Sequence, residues 1–494
     1  MRRRSVLRWT LAWAVVSLLL GCSLAQAQTR DWPSEKAPAP LAAREAAFPP
    51  YEMRTLPNGL QVVVVLHHEQ PAVSIRLLVR AGAARDPQNK PGVARLVASL
   101  LDQGTATRSA QEIAEQIDFI GGSLGTGAGE DVTFANTVVM KDAFAFGMEL
   151  LYDVVHTPTF APEEIDRQKE QALSALQVSA RDPDSIADGV FSRLVYGFHP
   201  YGLPGEGTAE TLASITRDDL LAFHRQYFVP NNMVVAIVGD VTSAEAFSTV
   251  EKVFGGWSRA EVPPLRASEP PPPARRLVII DKPDAVQTEI RIGAIAIPRK
   301  HPDYLAWDLA VKILGGEGAN RLHQVLRSAR GLTYGAEADT DARKDAGAYV
   351  AQTDTRTETT AEALKLAVDE FTRLQREKVG LRELGDAQAY LAGSFPLTIE
   401  TPNAIATQIL NNVFYELPLE EVGTFRERVL AITPDEIQRV ARAYIRPDRL
   451  SIVLVGNARQ FIQRLAAFGF TNIEVIRVEQ LDLLSPTLKK DARR

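Results

Sequence analysis

The segment ITRDDLLAFHRQYFVPNNMVVAIVGDVT, starting at Ile215, aligns without a gap to ITPDEIQRVARAYIRPDRLSIVLVGNAR, starting at Ile432, 217 residues further along a chain of 494. Thr216 and Thr433, Tyr227 and Tyr444, Pro230 and Pro447, and Gly239 and Gly456 fall on matching positions. Each copy opens with a threonine whose hydroxyl can accept from backbone N–H groups of a first helical turn, and acids follow that suit the positive end of the helix dipole. The pattern predicts a helix, a proline turn and an apolar strand that stops at glycine. A similar offset pairs two alternating strands, Val73 to Ala81 and Thr288 to Ile297, each followed by a helix. A chain that repeats its own design at this period is expected to fold as two matched halves of one α+β kind, since a single core does not grow to this size.

Residues 261 to 276, EVPPLRASEPPPPARR, hold four consecutive prolines and read as a stiff polyproline spacer between the halves. The expected division is a signal peptide at 1–27, a Pro/Ala-rich leader at 28–50, a first half at 51–260, the linker at 261–276, a second half at 277–480 and a tail at 481–494. The signal has Arg2, Arg3, Arg4 and Arg8, an apolar run from Trp9 to Leu20, and small residues at Ala25 and Ala27. Cys22, the sole cysteine, follows Leu19-Leu20-Gly21 and offers a rival reading, in which the chain is cut there and lipidated on that thiol. Both readings predict an exported protein, periplasmic or otherwise outside the cytoplasm, with an N-terminal lipid as the candidate membrane attachment and no disulfide in the folded part. Cleavage after Ala27 removes four arginines and no acid, taking the basic count from 55 to 51 against 61 acids. That excess of negative charge argues against a nucleic-acid partner.

GVARLVASLLDQGT, Gly92 to Thr105, places Arg95, Ala98 and Ser99 at helical spacing on one face. Where a zinc-peptidase helix carries the inverted motif His-x-x-Glu-His, those are the places of the two imidazoles and the general base. Arginine stays protonated, alanine has no lone pair, and a serine hydroxyl is a poor substitute for imidazole, so this set is not expected to hold zinc or activate water. Gly92, Ala94, Leu100, Leu101, Gly104 and Thr105 keep the surrounding frame, which resembles the insulinase and pitrilysin family, including the mitochondrial processing peptidases. In that family a third ligand comes from a later helix, just ahead of an Asp/Asn-Pro turn. The helix that matches is APEEIDRQKEQALSALQVSARDP, and alignment on Pro183 puts Ala175 at the ligand position. The resemblance therefore implies four degenerate metal positions, Arg95, Ala98, Ser99 and Ala175, and no cofactor in this chain.

LHQVLRSARGLTYGAEA, residues 322 to 338, resembles the family segment whose arginine and tyrosine reach the substrate at the zinc site, within one chain or from a partner. Here they are Arg327 and Tyr334. A guanidinium fork and a phenol are fixed donors suited to a peptide carbonyl and its developing oxyanion. The plainer alternative makes Arg327 a helix C-terminal cation and Tyr334 a core-edge aromatic at the start of a strand. The resemblance also implies a clam-shaped chamber, each half an antiparallel sheet with helices on one face, and unstructured peptides bound by adding a strand to a sheet edge. The expected function is that of a non-catalytic subunit in an exported two-chain zinc endopeptidase, whose partner is a ligand-bearing family relative that supplies the zinc. The alternative is a peptide-binding or assembly protein with no part in hydrolysis. His67-His68-Glu69 follows a strand, where neighbours alternate faces, and reads as a solvated strand end; Gly315 to Asn320 reads as a turn.

Overall fold

A computed structural model describes residues 48–265, 268–316 and 320–490. The signal peptide, Cys22 and most of the leader lie outside the described residues. Among the described residues twelve strands form two sheets: β1 Tyr51–Thr55, β2 Gln61–Leu66, β3 Ala72–Val79, β4 Ser123–Ala128, β5 Thr133–Met140 and β6 Met233–Gly239 in the first, and β7 Arg276–Asp281, β8 Gln287–Ile295, β9 Ala336–Asp341, β10 Ala348–Arg356, β11 Ser451–Gly456 and β12 Ile473–Arg477 in the second. Their orders are β1-β2-β6-β3-β5-β4 and β12-β7-β11-β8-β10-β9. The α+β design in two matched halves stands, and five strands of each sheet correspond in order. The sixth does not: β1 pairs antiparallel with β2, whereas β12 comes from the far C-terminal end and runs parallel to β7.

Eight helices position the candidate sites and the junction of the halves: α1 Val93–Leu100, α2 Phe144–His156, α3 Pro162–Ser179, α4 Pro183–Tyr196, α5 Arg217–Tyr227, α6 Tyr304–Gly315, α7 Pro402–Phe414 and α8 Pro434–Tyr444. The repeat places α5 ahead of β6 and α8 ahead of β11. Both helices open with the expected threonine as a full capping box, Thr216 with Asp219 and Thr433 with Glu436, each residue's side chain accepting from the other's backbone N–H.

Two details depart from the expected sheets. Neither is antiparallel throughout, because β2 runs parallel to β6 and β7 parallel to β11. Nor are helices confined to one face. The inner face of the second sheet is built on Leu277, Ile279, Ile452 and Leu454, while the alternate residues Val278, Ile280, Val453 and Val455 are buried against Ile186, Val190, Phe191 and Leu194 of α4, a helix of the first half. In return α7, a helix of the second half, packs across β3 and β6 of the first sheet with Ile405, Ala406 and Ile409 fully buried. This exchange explains why QVVVVL, MVVAIVG, RLVIID and SIVLVG are unbroken apolar runs: a strand covered on both faces has no polar side to show. Burial of each large aliphatic is worth roughly 1.5–3 kcal/mol, so the two borrowed helices weld the halves.

Buried charges reinforce the weld. Arg291 on β8, 2% exposed, pairs with Asp184 and, at 2.7 Å, with Asp188, both on α4. Arg343, in the turn after β9, donates to Asp341 at 2.7 Å, approaches Glu130 of the first half within 3.8 Å, and lies over the rings of Tyr201 and Tyr196. The Tyr201 hydroxyl donates to Asp131 at 2.6 Å and the Tyr196 hydroxyl to Asp341 at 2.9 Å. The proline-rich segment lies along the first half, with Arg85 donating to the Pro263 carbonyl at 2.7 Å and Pro271 against Gly197. Among the described residues no helix is long and apolar enough to cross a membrane.

Thr105, the last letter of the motif frame, has a folding role. Its hydroxyl donates to Asp153 of α2 at 2.7 Å, and Thr107, Arg108 and Thr157 converge on the same carboxylate. Burial alone would raise this carboxyl, but these four partners outweigh it and hold it below the ordinary carboxylate value. A depressed carboxyl stabilises the fold above its unfolded pKa, and that contribution disappears as pH falls through the folded value. Asp153→Asn should therefore cost roughly 1–3 kcal/mol at neutral pH. In urea titrations the gap between mutant and parent should narrow in acid.

Candidate functional site

Helix α1 is held at its N-terminus by Asp86, whose two carboxylate oxygens accept from the backbone N–H groups of Gly92 and Ala94 at 2.7 Å each. Gly92 takes a left-handed φ of 104°, which a side chain would strain, and a Cβ there would also crowd the Glu206 carbonyl. Val93, Ala94, Leu96, Val97, Leu100 and Leu101 enter the first-half core. The frame that suggested a family helix is therefore what the fold requires.

Arg95, Ala98 and Ser99 lie outside that core set, on the remaining face of α1. Ala98 is 1% exposed. The Ser99 hydroxyl is turned back on its own helix and donates to the Leu96 carbonyl at 3.0 Å. Arg95 donates to the Ala128 carbonyl at 2.8 Å and pairs with Glu206 at 3.1 Å and Glu130 at 3.7 Å. The zinc that the family helix implies does not fit these residues: they present no imidazole or thiolate, a fixed guanidinium replaces a ligand and repels a dication, and the nearby carboxylates are engaged by it. Ala175 lies on α3, which packs against α1 through the Ile165, Ala172, Leu173 and Leu176 side, but Ala175 itself is exposed. The structure thus brings three degenerate positions onto one helix face and leaves the fourth at the surface of the neighbouring helix.

The second candidate lies elsewhere. A cleft of about 560 Å3 opens on the second half, lined by residues of β8, β9 and β10, the end of α6, the turn His323–Ala329 and the segment holding Tyr334. None of Arg95, Ala98, Ser99 and Ala175 lines it, and among the described residues Asp184 is the first half's contribution. Register sets Arg291, Gln352 and Glu337 side by side across the sheet, with Glu289 opposite Asp354, so the floor is polar and mostly acidic. Burial pushes the Glu289 carboxyl up to about 7; Arg291 opposes the rise, and Asp354 and Asp184 add to it.

Arg327 and Tyr334 stand at the rim. Tyr334 is 82% exposed and β9 begins two residues later, so it is not a core-edge aromatic. The Arg327 guanidinium lies over its ring, 4.5 Å from the centroid, a cation–π pair at an open site. Both side chains are exposed, so the phenol and the part of the guanidinium not turned to a neighbour can meet a carbonyl oxygen and negative charge growing on it. The sequence points to this pair but not to its neighbour His323, nor to the acids that meet Arg95 on α1. Glu130 and Glu206 are brought to Arg95 by the fold from distant segments and carry no local signal. His323 does carry one, since it precedes Arg327 by four residues and so shares its helix face.

Residues 61–209 match the family described as insulinase (peptidase family M16), and residues 214–414 match the family described as peptidase M16 inactive domain. An uncharacterized zinc protease of Mycobacterium bovis is 26% identical over 420 residues, spanning 84% of this chain and 95% of that one. The crystal structure of a peptidase M16 inactive domain from Pseudomonas fluorescens superimposes with a TM-score of 0.78 at 28% identity, covering 82% of this chain and 98% of the other. A protease from Helicobacter pylori shares the fold, with a TM-score of 0.79 at 21% identity over 83% of this chain and all of that one.

Proposed function

This chain belongs to the insulinase family of M16 peptidases, and from that premise we propose that it is the substrate-holding subunit of a two-chain peptidase, without metal-binding positions of its own. The observation that carries the proposal is the pairing of a dismantled α1 with an undamaged Arg327–Tyr334 rim. Had the chain merely decayed, both would be free to drift. A family relative with complete ligands supplies the metal and the base. This chain supplies two donors aimed at the substrate carbonyl and one wall of the binding space. The substrate class is an unstructured peptide, and β9, an edge strand beside Tyr334, offers unpaired backbone groups for it. The signal at 1–27 supports a complex outside the cytoplasm, with Cys22 as the candidate lipid anchor and the net negative charge arguing against a nucleic-acid role.

The test is reconstitution with the ligand-bearing relative from the same host. An unstructured fluorogenic peptide should be cleaved by the mixture well above either chain alone, and the two should co-elute in gel filtration. A mixture no faster than the relative alone, with separate elution, would leave the chain a peptide-binding or assembly protein instead.

A further inference from the structure

Arg327 sits in a turn whose backbone has widened from α to π geometry over His323–Ala329, a distortion frequent at functional sites. The first residue of that turn is held by its backbone N–H, which donates to the Asn320 side chain at 2.7 Å. Its ring Nε2 lies 3.4 Å from the Arg327 Nη1. A guanidinium has no lone pair to offer, so in this contact Arg327 donates and His323 Nε2 must be the acceptor. The ring is then neutral, with its proton on Nδ1. That Nδ1 is buried and has no hydrogen-bond partner among the described residues. With Nδ1 enclosed, Nε2 is the ring atom that meets a polar group, and that group is Arg327. On its other side Arg327 rests on the Tyr334 ring, which is otherwise exposed.

We infer that His323 is a positioning residue: as a neutral acceptor on the π-turn it fixes the Arg327 guanidinium over Tyr334, so that arginine and phenol meet a peptide carbonyl as one preformed pair. The inference rests on the substrate-holding role proposed above. It extends that role to a residue that touches no substrate and that acts through Arg327. Order at the rim is what an exposed, five-donor side chain lacks when it is left on a flexible stem, and a single directional acceptor supplies it.

The experiment compares His323→Leu, which keeps bulk and removes the acceptor, with His323→Gln, which restores an acceptor oxygen. In the chain alone, labelled with 13C-tyrosine, the Tyr334 ring resonance is assigned by its loss in Tyr334→Phe. It should move in His323→Leu in the same direction as in Arg327→Ala and stay near its parent position in His323→Gln. In the reconstituted two-chain enzyme His323→Leu should lower kcat/KM for the fluorogenic peptide roughly tenfold, the scale of one lost contact to a charged group, with His323→Gln close to the parent. A Tyr334 resonance indifferent to His323→Leu overturns the positioning role. A resonance that responds as expected, in an enzyme whose rate ignores even Arg327→Ala, upholds the positioning role and instead removes the donor role on which it was built.

Discussion

Replacing Arg327 and Tyr334 by alanine should cut peptide cleavage by the reconstituted pair of chains about 10²- to 10³-fold in kcat, the loss that follows removal of a preorganised oxyanion donor. The fall belongs in kcat more than in KM, because a donor aimed at charge that exists only in the transition state contributes little to ground-state binding. Arg327→Lys should recover part of the rate, since a point charge replaces the fork but cannot stack and donate in the same plane. Thermal unfolding of the chain should be almost unchanged by these substitutions: Tyr334 is 82% exposed and Arg327 is exposed beside it. A double-alanine variant that supports full activity would mean that the rim pair is a surface ornament of the fold.

The largest stability effect is expected at the junction of the halves. Arg343→Ala removes the cation shared by Asp341 and Glu130 and empties the space over Tyr196 and Tyr201. Breaking a buried pair by deleting one partner costs about 3–5 kcal/mol, and because Asp341 keeps about a third of its side chain in water the expected loss is nearer 2–4 kcal/mol. Urea denaturation followed by far-UV circular dichroism should show a single transition displaced to lower denaturant, because α4 and α7 still cross between the halves. Arg343→Lys should fall between parent and alanine. Two separate transitions in the parent protein would contradict the picture of halves welded by exchanged helices.

Much of this architecture could be read from the letters. The repeat from Ile215 and Ile432 located two threonine N-caps, two proline turns and the two strands β6 and β11, because caps and turns are set by residues within a few positions of one another. What could not be read was anything set by distant partners. Val278 and Val453 on one face and Leu277 and Ile452 on the other announce strands buried twice over, but no local pattern says that the second cover is a helix from the other half. The same holds for Arg291, whose partners lie more than a hundred residues back on α4. At the site, the expectation that α1 holds no zinc needs no fold, because it rests on what Arg95, Ala98 and Ser99 are. Where Arg95 points was not, since Glu130 and Glu206 reach it only through the folded loops. Ala175 illustrates the limit of reading by alignment: the residue sits on α3, the helix the alignment named, and its exposure appears only in three dimensions.

The motif frame puts Arg95 of α1 at a position where the resemblance implies a zinc ligand, and the role proposed for the chain depends on that reading. The direct measurement is zinc per polypeptide, by plasma mass spectrometry, on the isolated chain loaded with excess zinc and passed through gel filtration without chelator. A value far below one atom per chain is the expected result. One zinc retained per chain, lost in Ser99→Ala or Arg95→Ala, would show that this helix still holds a metal and that the chain needs no partner to supply it.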